Sequence, residues 1–287
     1  MLRQRKRYAH WIVLAIAALL VTSCSVRMSY PFLDNLMGWE LGRYVSLNSE
    51  QKRMASDTFD EFHEWHRYTQ LPRYADYLES LKKGMLDKPV SPEYLHAESD
   101  VLQDMLDDAM AHLLPGLTEI AATLDDDQIH EIRKKLQKDR EEYREDYLDD
   151  EPEKIQKRRI REITRLIGGF FGRFSDEQTT RMETWESSLQ AHAPLMLGQQ
   201  EIWEQDFVKA MAYRDDKAEL QKRLKALMLY RTDNWDPELQ ERLDYNQEQT
   251  FIMLADLFNS QSPEQEKKMI KKFDQYIRDF RALSKRD

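Results

Sequence analysis

Apolar residues recur at intervals of three and four along nearly the whole chain, which is the spacing of one face of an α-helix. Phe59, Phe62, Trp65 and His66 make one such stripe. After Leu71-Pro72 another runs through Tyr74, Leu78 and Leu81 towards Gly84. A longer stripe carries Leu95, Leu102, Leu106, Ala109, Leu113 and Leu117, with Pro115 expected to kink it. Ile129, Ile132, Leu136, Tyr143 and Tyr147 follow, then Ile160, Ile163, Ile167 and Phe170. Three shorter sets come next: Met182, Trp185, Leu189; Trp203, Phe207, Met211; and Leu220, Leu224, Leu227. The last two stripes hold Leu239, Leu243, Leu254 and Phe258, then Met269, Phe273, Ile277 and Phe280. No run of alternating β-branched residues competes with these. The pattern predicts an all-α domain, elongated or bundled, of about eight helices whose stripes form the core.

The helix starts are marked independently. Asn48-Ser49-Glu50-Gln51, Asp125-Asp126-Asp127-Gln128, Ser175-Asp176-Glu177-Gln178 and Ser262-Pro263-Glu264-Gln265 each place a capping residue three before a glutamine. This is a capping box: the first side chain accepts from a backbone N–H of the first turn, and the glutamine reaches back to the cap. Acids in the first turn oppose the helix dipole. Ser91-Pro92-Glu93 and Asp236-Pro237-Glu238 mark two further starts, with proline where its missing donor does no harm. The four boxes are unequally spaced, so no fixed period points to a solenoid.

The amino-terminal residues read as an address. Arg3, Arg5, Lys6 and Arg7 precede an apolar core from Trp11 to Val21, followed by Thr22, Ser23 and the one cysteine, Cys24. Basic, apolar and small-residue zones in that order are an export signal. The apolar core is shorter than the roughly 20 residues a spanning helix needs. Val21-Thr22-Ser23-Cys24 resembles the lipobox of bacterial lipoproteins, in which the chain is cut before the cysteine and the thiol carries acyl chains. The expected division is a signal peptide over 1–23, a lipidated tether over 24–29 and a helical periplasmic domain over 30–287. Several acyl chains, at about 0.8 kcal/mol per buried methylene, make such an attachment durable. Ser25 follows the cysteine where an aspartate would resemble the inner-membrane retention signal, so the outer membrane, facing the periplasm, is the expected location.

Charge and composition narrow the function classes. The net charge is −10, and removing the basic leader makes the remainder more acidic, a poor generic ligand for nucleic acid. With 33% charged residues but only 8 glycines and 9 prolines, the chain suits helices with solvated outer faces. Acid-rich Glu141 to Glu153 and basic Lys154 to Arg161 are expected to pair locally across a helical hairpin. Asp60-x-x-His63, Glu93-x-x-His96 and Asp127-x-x-His130 each put an acid and a histidine on one helical face, yet a di-metal bundle needs two Glu-x-x-His pairs and two further carboxylates. Gly-x-Ser-x-Gly is absent, and Gly168-Gly169-x-x-Gly172 lies in an apolar helical context without a preceding strand. The expectation is no enzyme, no metal and no cofactor.

Tyr30 to Leu78 carries a set of linked motifs: an aromatic start, Leu33, Leu36, Trp39, Tyr44-Val45-x-Leu47-x-x-x-Gln51, Trp65-His66-Arg67 and Leu71-Pro72-x-Tyr74-Ala75. This block resembles the Gram-negative lipoproteins classed as domain of unknown function 6279, a likeness that implies lipidation and a helical body but no activity. Leu47-Asn48-x-x-Gln51, Leu124-Asp125-x-x-Gln128 and Phe174-Ser175-x-x-Gln178 are similar to the Leu-Thr-x-x-Gln motifs of periplasmic chaperones of the Spy type, with threonine replaced each time. The aromatic block over 30–45 is expected to pack on the main body.

Trp65, His66, Arg67 and Tyr74 are the candidate partner-binding residues. They gather at an expected corner between two helices, with Trp65 anchoring one helix on the next. Arg67 is expected to cap the C-terminus of its own helix or pair with an acid such as Glu61 or Glu64, and His66 to bond a backbone carbonyl. The expected function is a non-catalytic interaction or accessory protein of the envelope that binds a protein partner, with a chaperone as the alternative and a carboxylate–histidine metal protein behind both.

Overall fold

The computed structural model describes residues 26–229 and 235–285. The expected signal peptide over 1–23, and Cys24, lie outside the described residues. Val26–Ser29, within the expected tether, form a helical turn with Val26 buried, and Tyr30–Phe32 add a 3-10 turn. Then follow α1 (Leu33–Gly42), α2 (Ser49–Trp65), α3 (Leu71–Leu86), α4 (Pro92–Ala122), α5 (Asp126–Arg144) and α6 (Pro152–Phe171). The remainder is α7 (Asp176–Ser188), α8 (Ala193–Met211), α9 (Lys217–Leu229), α10 (Pro237–Asn259) and α11 (Pro263–Leu283). Among the described residues there is no strand.

α2 to α11 are ten helices of 13 residues or more, where about eight are expected from the stripes. The difference lies in the total alone, since each of the ten apolar sets in the sequence falls on one of these helices. Leu189 turns extended and ends α7 after 13 residues, and the Tyr213–Asp216 turn separates α8 from the 13-residue α9. At 31 residues α4 is about 46 Å long by its rise per residue and serves as the spine. Its Leu95 lies in a core with α3, α10 and α11, its Leu114 in one with α5, α8 and α9, and its Ile120 against Ala55 and Phe59 of α2. Pro115 does not end it. Beside that proline, Gly116 lets α2 come close: a Cβ there would lie 2.3 Å from the Thr58 methyl.

All four capping boxes form, and they form in pairs. Gln51 Nε2 donates to Gln128 Oε1 at 2.9 Å, and Gln128 Nε2 donates back to Gln51 Oε1 at 2.7 Å. The second N–H of each amide reaches the segment leading into the partner helix, at Thr123 O and Ser46 O. Each oxygen also accepts from its own cap, Asn48 N and Asp125 N. Gln178 and Gln265 repeat this arrangement bond for bond, with Ser260 O and Arg173 O as outer acceptors and Ser175 N and Ser262 N as cap donors. In every case the outer acceptor lies two residues before the partner's cap. Both N–H groups and both lone pairs of each buried amide are thereby satisfied, which is the condition for burying it without loss.

Two asparagines extend the device. Asn259 accepts from Val90 N and donates to Val90 O, both at 2.8 Å, fastening the α3–α4 link to the end of α10. Asn246 does the same to Gln190 N and O between α7 and α8. The acid-rich and basic segments pair locally, as expected. Arg158 bonds Asp150 at 3.0 Å, Tyr147 donates to Glu162 at 2.6 Å, and Arg159 reaches Glu186 on α7 at 3.1 Å. Gly168 and Gly169 make no close helix contact, whereas Gly172 ends α6 at φ +79°, a conformation side chains rarely adopt.

The reciprocal bonds predict strong coupling within a pair and none between pairs. Gln51→Leu should cost about 3 kcal/mol, because it strands the Gln128 amide and two backbone groups. Adding Gln128→Leu should cost clearly less than its single change, whereas adding Gln265→Leu should be additive. Urea unfolding of the singles and both doubles reads this directly; additivity for Gln51 with Gln128 would contradict the pairing.

Candidate functional site

Trp65, His66, Arg67 and Tyr74 do not sit on a turn between separate helices. α2 passes into α3 through a widened helical turn, His66–Gln70, in which Leu71 N–H donates five residues back to His66 O. Pro72, which has no N–H to give, follows this turn, and Thr69 Oγ1 takes the Trp65 carbonyl at 2.6 Å. The expected corner is thus a continuous helix with a bulge. The bulge turns successive side chains towards three different parts of the molecule.

Trp65 stacks on His112 of α4, ring centres 3.8 Å apart and planes 7° from parallel. The His66 ring donates to no backbone carbonyl of the described residues, against expectation; its Nδ1 lies 2.8 Å from the Tyr30 hydroxyl, and Phe62 and Tyr74 pack around it. Arg67 Nε donates to Leu283 O at 2.6 Å and so caps a helix C-terminus, that of α11, 216 residues away. Glu61 and Glu64 are not its partners in any hydrogen bond or ion pair of the described residues. The four residues are therefore brought together along one stretch of helix and are engaged within the fold. Burial, with the neighbouring His63 second, lowers the His66 pKa to about 4 and keeps the ring neutral near pH 7. Burial likewise pushes the Tyr74 hydroxyl up to about 12.

His66 and Tyr74 face an apolar cavity of about 330 Å³ enclosed by the N-terminal residues, α2, α3 and α4. Val26, Leu33, Leu78, Leu102, Met105 and Leu106 supply much of its wall, and no Asp, Glu, Lys or Arg lines it. The volume falls within the roughly 300–1,000 Å³ of ligand pockets. Two of the hydroxyls at its edge are directed to protein partners: Tyr30 to His66 and Tyr77 to Glu98 O at 3.1 Å. The lining residues on α3 and α4 belong to apolar stripes visible in the sequence, but the space between them arises only from how the helices meet.

The N-terminal block packs on the body by one side alone. Tyr30 and Val45 are buried, as expected, whereas Met28, Phe32, Leu36 and Trp39 are 66%, 59%, 40% and 64% exposed. Met28, Phe32 and Trp39 are turned away from the core that Val26, Tyr30 and Leu33 join, and Leu36 lies at the edge between the two sides. Arg43 lies over the Trp39 ring at 5.4 Å. The spacing was present in the sequence; what it lacked was which side of the block would find a partner.

Elsewhere the histidines are paired singly. His63 lies 3.6 Å from Asp34, and His96 lies 3.7 Å from Asp100 and edge-on to Phe251. Among the described residues no three His, Cys, Asp or Glu gather as a metal-holding group. None of the described helices is long and apolar enough to cross a membrane.

A protein-family model described as Family of unknown function (DUF6279) matches residues 43–240, well past the Leu78 end of the block that carried the resemblance. No curated protein and no solved structure matches the chain.

The neutral, buried imidazole predicts a pH dependence of stability. In the unfolded chain His66 binds a proton near its ordinary 6.5; in the fold it does so only near 4. Stability supplied by the neutral ring is complete above 6.5, falls between 6.5 and 4, and levels off below, by about 3 kcal/mol in all. His66→Phe should remove that share of the slope in urea midpoints taken from pH 7 to pH 4; an unchanged slope would show that the ring is not buried.

Proposed function

The chain belongs to the family of unknown function DUF6279, and on that premise we propose that it is a lipid-anchored, non-catalytic protein of the cell envelope that holds a protein partner close to the membrane. The observation that carries the reading is the exposed stripe Met28, Phe32, Leu36 and Trp39, which begins four residues after Cys24. An apolar helical face next to an acylated residue suits the headgroup boundary of a bilayer, where Trp and Phe settle. Val21-Thr22-Ser23-Cys24 supplies the acylation signal, and Ser25 favours the outer membrane, periplasmic side.

The body beyond the stripe is read as a contact scaffold. Its buried acids hold helices together: Glu204 bonds Arg140 at 2.5 Å and lies 3.4 Å from Arg133, joining α8 to α5, and Glu186 joins α7 to α6. Trp65, His66, Arg67 and Tyr74 act in this reading by fixing the surface offered to a partner, since their own side chains face inward.

The stripe also favours a second reading, a chaperone that receives an unfolded client on exposed apolar side chains. Similarity of three capping boxes to Leu-Thr-x-x-Gln motifs of Spy-type chaperones supports it. Suppression of aggregation of an unfolded test protein, lost in Phe32→Ser/Trp39→Ser, separates this reading from the first.

For the envelope-anchor reading, mass spectrometry of the mature N-terminus should find acyl chains on Cys24. In proteoliposomes, lipids brominated near the headgroups should quench part of the tryptophan emission, and Trp39→Phe should abolish most of that quenching. An unmodified thiol, or quenching untouched by Trp39→Phe, contradicts the reading.

A further inference from the structure

We propose that the apolar cavity seats one of the acyl chains carried by Cys24, an inference that rests on the lipidation reading above. Three observations converge. First, the wall is aliphatic and aromatic, from Leu33, Leu78, Leu102, Met105 and Leu106, and no charged side chain is there to recognise a headgroup or an ion. A flexible hydrocarbon chain is the ligand that loses nothing in such surroundings and gains from leaving water.

Second, the roof of the cavity is the start of the described chain. Val26 and Ser29 line it, and Val26 is two residues from Cys24. Two residues reach at most about 7 Å, so a chain attached to the Cys24 thiol or amine begins at the rim. No diffusing ligand has this advantage of local concentration.

Third, the roof has two apolar sides. Val26, Tyr30 and Leu33 face the protein core, whereas Met28, Phe32 and Trp39 face outward. Leu36 is 40% exposed and also lines the cavity, which marks the rim where the two sides meet. With the outward side in the bilayer, an acyl chain passes from the membrane to the cavity along a continuous apolar path. One chain then ties the N-terminal segment to α3 and α4 while the others remain in the membrane. The body is held at a set orientation instead of swinging on a free tether.

The test uses the full-length protein made in cells fed a palmitic acid analogue that carries a diazirine along its chain. After irradiation of intact cells, the lipoprotein is purified and its peptides are mapped by mass spectrometry. The proposal expects labelled Cys24 and intramolecular links from the Cys24 peptide to peptides of α3 and α4. Filling the cavity with Leu106→Trp should reduce these links at least tenfold, with Leu102→Phe as a second, smaller change should the first lower the helical content or the melting temperature. Labelled Cys24 with links only to membrane lipid overturns the proposal and leaves lipidation standing. Links from the cavity peptides to labelled phospholipid, and not to Cys24, overturn it in favour of a free lipid occupant. Absence of any label on Cys24 overturns the lipidation reading itself, and this inference with it.

Discussion

A buried carboxamide is tolerated only when its two N–H groups and its carbonyl oxygen all find partners, and this protein meets that condition by making such groups face each other. Gln51 and Gln128, and again Gln178 and Gln265, each serve two segments at once: their own helix start and the start of a helix 77 or 87 residues away. An apolar contact can slide by a rotamer, but a four-bond amide pair fixes both position and direction. Because each pair gathers two helix N-termini and the turn that ends a long helix, it sets where α4 and α10 stop and where α5 and α11 leave. Asn259 and Asn246 apply the same bonding to isolated backbone segments.

Much of the helical layout was legible because it depends on local physics. The capping boxes are local by construction, and all four form where the sequence marks them. The stripes through Leu95, Ile163, Leu224, Met269 and Phe273 supply core residues, since a periodic apolar face has to be covered by something. What was not legible was the second use of each glutamine. Unequal spacing of the boxes argued against a repeat, whereas the fold joins the first with the second and the third with the fourth. That pairing depends on which helices meet, and no local rule encodes it.

The N-terminal quarter shows the same division. Tyr74, Leu78, Leu102 and Leu106 are visible as stripe residues, yet the cavity they bound lies where α3 and α4 meet the segment around Tyr30, which no single stripe shows. Arg67, expected to serve its own helix end or a nearby acid, instead caps α11 at the far end of the chain. His66 was given a backbone carbonyl and takes a tyrosine hydroxyl. The bulge at His66–Gln70 turns α3 relative to α2, since one extra residue in a turn rotates every later side chain relative to the helix before it. Function enters through this same region. An exposed apolar face and an apolar cavity flank one short segment just after Cys24, so the described residues nearest the proposed anchor carry exposed apolar surface.

The paired amides are tested most directly by hydrogen exchange at the four helix caps. Backbone N–H groups at Asn48, Asp125, Ser175 and Ser262 precede their helices and have no helical acceptor, so in an ordinary cap they exchange quickly. Here each donates to a buried glutamine oxygen. Residue-resolved exchange by NMR should find all four as slow as amides in the middle of α4, opening only with the fold as a whole. Exchange at these caps close to the rate of an unstructured chain would contradict the account.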